Sequence, residues 1–374
     1  MRVCVIIPSY NEKDTISEVI NTLEREFSDI RKDFSILVVD GYSPDGTGGI
    51  VRKLKETYEN LFLLEKQKSG LGRDYIAGME YAIKNLAPEV IFEMDADLQH
   101  DPKDARKMLT EIENGYDYVL GSRYVPGGSI PKEWGWHRKF LSGFGNLFAR
   151  GALGIFSIHD ITTGFKASRV SGFLDRIELT RVLSGKQAYK MHLLYEMVRL
   201  GAKVKEIPIT FANREHGVSK IVGSDIFEAL KVVVILGIKK RQTFFKFLAV
   251  GFIGLMWQIL VYESLIILTK IPAWISVMVS SEAAIISNFI LNNLWTFKEK
   301  QIGLRELPLR FLMFNTTSLG APAIQAVVVG GGTFVFGESF IIKNVFFFLS
   351  LILVVIWNYF FYTKVIWAKK DGKR

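Results

Sequence analysis

Two carboxylates and an amide stand close together in Asp95-Ala-Asp97-Leu-Gln99, directly after the apolar run Val90–Met94. In an extended segment residues two apart face the same way, so Asp95 and Asp97 can point into one crevice. Two carboxylates with the amide oxygen of Gln99 make a hard oxygen set, suited to Mg²⁺ or Mn²⁺ rather than zinc. Such an ion keeps coordination positions open for substrate phosphates. The competing reading is a helix start at Asp101–Pro102; it accounts for Asp101 and leaves Asp95 and Asp97 unexplained. A second polar cluster is Pro8-Ser-Tyr10-Asn11-Glu12, and a third is Val39-Asp40 followed by Ser43-Pro-Asp45-Gly46-Thr47. Asp40 closes an apolar run, where a carboxylate can accept two hydrogens from a nucleobase edge or a ribose; a turn aspartate is the equal alternative. Ser43-Pro44-Asp45-Gly46 has turn composition.

These clusters need a scaffold. Short β-branched or apolar runs at Val3–Ile7, Phe34–Val39, Leu61–Leu64, Val90–Met94 and Tyr118–Leu120 alternate with helical patterns such as Thr15–Phe27 and Asp74–Leu86. Runs apolar on both faces, alternating with helices, predict an α/β domain built on a mostly parallel sheet. Sheets of this kind bind ligands at the carboxyl ends of their strands, where Tyr10, Asp40, Asp95 and Asp97 fall. The single cysteine, Cys4, sits inside an apolar run and reads as a buried small hydrophobe.

After Lys240 the chain changes character. Four apolar spans, roughly 244–268, 273–296, 310–335 and 341–366, are each long enough to cross about 30 Å of hydrocarbon. Pro308, Pro322 and Gly330–Gly331–Gly332 interrupt the third. The sequence therefore divides into a domain over 1–222, a helix over 223–241 and a four-span membrane domain over 242–374. Nothing at the N-terminus reads as a signal peptide, because Val3–Ile7 is short and leads to no cleavage site. Lys239, Lys240, Arg241 and Lys246 precede span one; Lys298, Lys300, Arg305 and Arg310 separate spans two and three; Lys369, Lys370, Lys373 and Arg374 follow span four. The opposite loops offer Lys270 and Lys343. This asymmetry predicts a multi-pass integral membrane protein with its N-terminal domain and C-terminus in the cytosol. The flanks also account for most of the net charge of +9, which suits an anionic leaflet. No nucleic-acid motif appears, so nucleic acid is not an expected partner.

The motifs Pro8-Ser-Tyr10-Asn11-Glu12, Val39-Asp40…Ser43-Pro-Asp45-Gly-Thr47, Gly70-Leu-Gly72, Met94-Asp95-Ala-Asp97-Leu-Gln99-His-Asp101-Pro and Gly121-Ser-Arg123-Tyr resemble those of the inverting nucleotide-sugar glycosyltransferases of family 2, with the GT-A fold. Asp160-Ile-Thr-Thr-Gly164-Phe165, Glu206-Ile-Pro208-Ile-Thr-Phe211 and Arg214-Glu-His-Gly217-Val-Ser219-Lys220 narrow the resemblance to the polyprenyl-phosphate hexosyltransferases, the dolichol-phosphate mannose synthases above all. The four-span region is similar to the GtrA-type membrane domain. The resemblance implies a Rossmann-like catalytic domain in which Pro8, Tyr10, Glu12, Val39 and Asp40 hold the nucleoside. It further implies that Asp95, Ala96, Asp97 and Gln99 hold the metal and diphosphate, and that Arg123, Arg214 and Lys220 meet phosphates. Two positions depart from the pattern. Gly41 stands where a second acidic residue is usual, and Arg73–Asp74 follow Gly70-Leu-Gly72 where small residues are usual.

A lipid phosphate is anionic at neutral pH, so as a nucleophile it needs no general base. The demanding steps are bringing two anions together and stabilising the departing nucleoside diphosphate, tasks for a divalent ion and for arginine. The implied reaction is transfer of mannose from GDP-mannose to dolichyl (polyprenyl) phosphate. The alternatives are a UDP-sugar donor, UDP-glucose among them, or a lipid-carrier translocator or scaffold, for which Glu263 and Glu282 inside the spans are the suspects. A processive synthase is disfavoured by the absence of a Gln-x-x-Arg-Trp motif. His100, His159, His192 and His216 read as structural, and His137 stays open. The stretch 134–153, with Trp134, Trp136, Arg138 and Lys139, predicts a helix lying on the bilayer; Arg138 and Ser142 share one face of it and would cradle the acceptor phosphate. A second such helix is expected over Ser224–Lys240.

Overall fold

The computed structural model describes residues 1–212 and 223–368. Arg214, His216, Lys220, Lys369, Lys370, Lys373 and Arg374 lie outside them. The chain forms two compact units, Met1–Lys240 and Arg241–Arg374.

The first unit is built on a seven-stranded sheet in the order β3-β2-β1-β4-β6-β5-β7. Its strands are β1 (Val3–Ser9), β2 (Phe34–Asp40), β3 (Leu61–Glu65), β4 (Val90–Glu93), β5 (Tyr118–Ser122), β6 (Lys166–Arg169) and β7 (Val204–Pro208). All neighbours pair parallel except β6, which runs antiparallel to β4 and β5. The β-branched runs sort by the two-residue period of a strand. Cys4, Ile6, Leu37, Val39 and Ile91 enter one core, while Val3, Val5, Ile7, Ile36, Val38 and Phe92 enter the other. The first core is closed by α3 (Leu71–Asn85), α5 (Trp136–Leu153), α6 (Tyr189–Arg199) and α7 (Gly223–Lys240); the second by α1 (Ile16–Glu26), α2 (Thr47–Leu54) and α4 (Asp104–Glu113). Sequence patterning locates the first five strands but not β6 or β7. Lys-Ala-Ser-Arg has no strand signature, and β6 exists because its neighbours on both sides need a partner. The helix α7 packs on α5 and α6, and so belongs to this unit.

The helices α5 and α7 also keep apolar faces outward. Trp136, Phe140, Phe144 and Leu147 are exposed on α5, and Phe227, Leu230, Val234 and Ile238 on α7. Spacings of three and four put each set on one helical face.

The second unit holds four apolar stretches of membrane-spanning length, Gln242–Leu268, Ala273–Thr296, Leu307–Phe336 and Phe340–Ile366. They comprise α8 (Gln242–Leu268), α9 (Ala273–Leu291), α10 (Leu307–Ser318), α11 (Gly320–Phe336) and α12 (Phe340–Phe361). The third stretch breaks at Leu319, between α10 and α11. Pro322 lies in the first turn of α11, where a missing N–H costs nothing, whereas a continuous helix would set its ring against the Ser318 carbonyl. Two hairpins result, α8 on α9 and α11 on α12. Gly254 and Gly332 let them close, since a Cβ at either would meet Asn288 or Phe346 at 2.2 Å.

The two hairpins repeat one another. Both α9 and α12 end in a π turn, Asn292–Thr296 and Tyr362–Ile366. Asn288-Phe289 precedes the first as Asn358-Tyr359 precedes the second. Phe297 and Trp367 follow their π turns and stack on each other, centroids 4.6 Å apart at 15°. On either side Phe244 meets Tyr359 (5.0 Å) and Phe311 meets Phe289 (5.2 Å). Trp367 is fully buried, and its indole N–H donates to Asn293 Oδ1 at 3.0 Å. Trp367→Ala therefore lowers stability by about 3 kcal/mol, at the lower end of the usual cost of truncating a buried aromatic, read as a fall in the thermal midpoint of the purified full chain in detergent.

Candidate active site

The chain leaves the adjacent strands β2, β1 and β4 through left-handed backbone at non-glycine residues. Asn11 (φ 58°) follows β1, Tyr42 (φ 53°) follows β2 and Leu98 (φ 56°) follows β4. Each such residue costs on the order of 1–2 kcal/mol, and strain of this kind concentrates at functional sites. At Leu98 the consequence is visible. The chain doubles back so that the Gln99 N–H donates to Asp97 Oδ1 at 3.2 Å. The Gln99 amide nitrogen donates to the Ala212 carbonyl at 3.2 Å, and the Ala212 N–H donates to the Gln99 carbonyl at 3.0 Å. With its nitrogen so engaged, the side chain of Gln99 keeps its oxygen as a ligand.

Asp95 is fixed from below. The Tyr75 hydroxyl donates to Asp95 Oδ1 at 2.9 Å, while Oδ2 lies 3.2 Å from where a Cβ would stand on Gly164. Tyr75 stacks on Tyr189 at 5.4 Å, and the Tyr189 hydroxyl donates to Glu93 Oε2 at 2.6 Å. Burial and the neighbouring carboxylates push both phenols well above their usual range, so they stay protonated donors. Glu93 and Lys166 are completely buried in this floor. Burial lowers the Lys166 ammonium to about 8 despite the charge of Glu93, and its Nζ donates to the Lys190 carbonyl at 3.3 Å. The residues fit a divalent ion. The carboxylates of Asp95 and Asp97 and the Gln99 oxygen are hard donors, and Gly164 leaves the space beside Asp95 that a side chain would fill. No group of three His, Cys, Asp or Glu side chains suited to a metal exists among the described residues. A metal here would complete its shell with substrate oxygens.

Two of the expected site residues are bonded within the chain. Asp40 is 1% exposed, and its carboxylate accepts from Ser9 Oγ (3.0 Å), from the Ser43 N–H (2.9 Å) and from Ser43 Oγ (2.6 Å). These bonds tie Asp40 to the turn after β2. Arg123, expected to open its fork to phosphate, closes it on Asp160. Nε donates to Oδ2 at 2.7 Å, and Nη2 donates to Oδ1 and to Thr162 Oγ1, both at 2.8 Å. A guanidinium buried this far from water requires a counter-charge, and Asp160 is its partner.

The other predicted residues gather around these. Pro8 is buried beside Val39 in the sheet, and the side chains of Val39 and Ala96 belong to the two cores. Tyr10 is half-buried with Lys68 Nζ 3.5 Å from its ring centre. That contact explains Gly41, because a Cβ there would press on Tyr10 at 3.1 Å and on Lys68 at 3.2 Å. The Glu12 N–H donates to Thr47 Oγ1, and Thr47 Oγ1 donates to Asp45, so the turn motif is structural as read. On α5 the Tyr124 hydroxyl donates to Ser142 Oγ at 2.6 Å, and Arg138 lies 3.9 Å over the Trp134 ring. Phe211 touches both Trp134 and Arg123, which brings the Arg138–Ser142 pair to the same edge as Arg123. His100 is buried between Phe165 and Phe211, and burial lowers its pKa; His159 binds Glu206, and His192 accepts from the Leu183 N–H. Arg214 and Lys220 fall outside the described residues. Tyr75, Glu93, Lys166 and Lys190 were not read from the sequence, since each sits in a helix or strand whose local pattern looks like core.

Residues 4–175 match the family model described as glycosyl transferase family 2, and residues 246–367 match the GtrA/DPMS transmembrane domain. The polyprenol monophosphomannose synthase of Mycolicibacterium smegmatis is 38% identical over 242 residues, 64% of this chain and 88% of that protein. The chain is a family 2 glycosyltransferase. The dolichol-phosphate mannosyltransferase of Pyrococcus furiosus is 33% identical over 336 residues, spanning 88% of this glycosyltransferase and 90% of the relative. Among solved structures, glucosyl-3-phosphoglycerate synthase of Mycobacterium tuberculosis with UDP is 13% identical, with a TM-score of 0.46 over 63% of this chain and 80% of that one. With its GtrA/DPMS domain and four apolar helices, the glycosyltransferase is a membrane protein.

Removing one partner of the buried Arg123–Asp160 pair strands the other. Asp160→Ala costs about 3–5 kcal/mol, and the Arg123→Ala/Asp160→Ala double variant costs less than the two single losses together, measured by denaturant unfolding. Burial alone would raise the Asp160 pKa, but the hydrogen bonds and charge of Arg123 outweigh it and hold the carboxyl below its usual value. This stabilisation is full above the ordinary carboxylate pKa of about 4 and is lost as pH falls through the lower folded value. Asp160→Asn accordingly flattens the acid limb of the stability profile.

Proposed function

We propose that this glycosyltransferase transfers mannose from GDP-mannose to a polyprenyl phosphate such as dolichyl phosphate, with inversion at the anomeric carbon. The observation that carries the reading is the carboxylate pair Asp95/Asp97 at the carboxyl end of β4, in a domain whose helices α5 and α7 keep apolar faces outward. The names of the two relatives, both mannosyl transfer to a lipid carrier, support the substrate class. Asp95, Asp97 and Gln99 would hold Mg²⁺ or Mn²⁺, which supplies Lewis-acid stabilisation of the leaving diphosphate.

The remaining work belongs to the chain. Tyr75 orients Asp95 by donating to Oδ1. Tyr10 and the turn held by Asp40 form the nucleoside edge. Arg138 and Ser142 receive the acceptor phosphate, with Arg123 behind them made rigid by Asp160. The acceptor arrives already anionic, so no residue has to remove its proton. The exposed faces of α5 and α7 lie against the bilayer and bring that phosphate to the sheet edge. A UDP-sugar is the second reading of the donor, favoured by Gly41, which leaves no acidic side chain after Asp40 to read a guanine edge.

Asp95→Asn and Asp97→Asn each lower transfer by at least about 10³-fold while leaving the unfolding midpoint within about 2 °C, on the scale of losing a charge-stabilising group. A panel of labelled GDP- and UDP-sugars with dolichyl phosphate and Mn²⁺ yields GDP-mannose as the best donor; product from UDP-sugars alone moves the assignment to the second reading. We also place the catalytic domain and the C-terminus on the cytosolic face, from the basic flanks. The chain suits a labelling test, because its one cysteine, Cys4, is buried and its thiol is pushed up to about 12. A cysteine introduced at Gly337 reacts with an impermeant maleimide on intact cells, and one at Lys300 reacts only after permeabilisation.

A further inference from the structure

Lys190 has no role in the reading above, yet it occupies a demanding position. It is 7% exposed, in the first turn of α6. Its Nζ lies 2.7 Å from the place a Cβ would take on Gly164, and Asp95 Oδ2 lies 3.2 Å from the same point. The ammonium and the carboxylate therefore share the small space that Gly164 leaves open. Among the described residues Lys190 Nζ makes no hydrogen bond or ion pair. The neighbouring groups bond elsewhere: Asp95 accepts from Tyr75, Glu93 Oε2 accepts from Tyr189, and Lys166 donates to the Lys190 carbonyl. A buried cation without an anionic partner is unfavourable unless something outside the chain supplies one. A reaction that gathers a nucleoside diphosphate and a lipid phosphate supplies phosphate oxygens at this spot.

We propose that Lys190 is a phosphate-binding residue of the cleft, its ammonium pairing with substrate phosphate oxygens next to Asp95. The proposal rests on the function given above and deepens it. A lysine suits the task as a compact point charge with three donors, able to follow oxygens that move as the bond to the sugar breaks. Gly164 is part of the device, because any side chain there would displace the ammonium.

The test uses the full chain in detergent and in phosphatidylcholine vesicles containing dolichyl phosphate. Three quantities are compared between wild type and Lys190→Gln: the affinity for Mn²⁺ alone, the affinity for Mn²⁺ with GDP or UDP, and the KM for dolichyl phosphate at saturating donor. Loss of a positive charge beside Asp95 leaves Mn²⁺ binding unchanged or tightens it a few-fold. Nucleotide affinity or the KM for lipid phosphate worsens at least tenfold, and the arm that moves identifies which phosphate Lys190 meets. Lys190→Arg recovers most of the loss, and Gly164→Ala reproduces it. Nucleotide affinity and lipid KM both within twofold of wild type, in Lys190→Gln of unchanged thermal midpoint, overturn the inference alone. A wild-type protein that binds neither Mn²⁺ nor nucleotide overturns the proposed function and this inference with it.

Discussion

A charge taken out of water must meet an opposite charge, and this requirement organises the catalytic unit. Three cations and three acids are drawn into the sheet edge: Arg123, Lys166 and Lys190 with Asp160, Glu93 and Asp95. Arg123 and Asp160 satisfy one another by direct contact. Glu93 stabilises Lys166 through space and takes its hydrogen bond from Tyr189. Asp95 and Lys190 complete the set on either side of the small space that Gly164 leaves. Bonds closed within the chain hold these buried charges in place beneath the carboxyl end of β4.

The sequence exposes this plan unevenly. Buried parallel strands announce themselves through β-branched runs, and β1 to β5 are legible for that reason. Strand β6 is not, because Lys166-Ala-Ser-Arg169 owes its conformation to pairing with β4 and β5 and carries a lysine that only tertiary surroundings can accommodate. The carboxylate pair was legible because its chemistry depends on local spacing. Roles that depend on distant partners were not. Arg123 gives no sign in sequence of Asp160, far along the chain, to which its guanidinium bonds. Asp40 reads equally as base contact or turn, and its bonds to Ser9 and Ser43 are visible only in the fold. The glycine that replaces an acidic residue at position 41 becomes intelligible once Tyr10 and Lys68 are seen pressing on it.

Membrane spans follow from hydropathy alone, since twenty apolar residues have few other uses. Hydropathy does not say how they pack. The break at Leu319 follows from Pro322, whereas the correspondence between the hairpins lies in a handful of aromatics and asparagines spread through two dissimilar sequences. Conformation preserves what composition has lost: two π turns, each delivering one large ring to the same meeting point.

That meeting point makes the second unit lopsided. The aromatic cluster of Phe247, Phe289, Phe297, Phe314, Tyr362 and Trp367 rivets the hairpins together near the ends of α9 and α12. At the opposite extremity Ile267, Leu268, Phe334 and Phe340 stand bare. Tongs riveted at one end move most at the other, so relative motion of the two hairpins pivots on the aromatic joint.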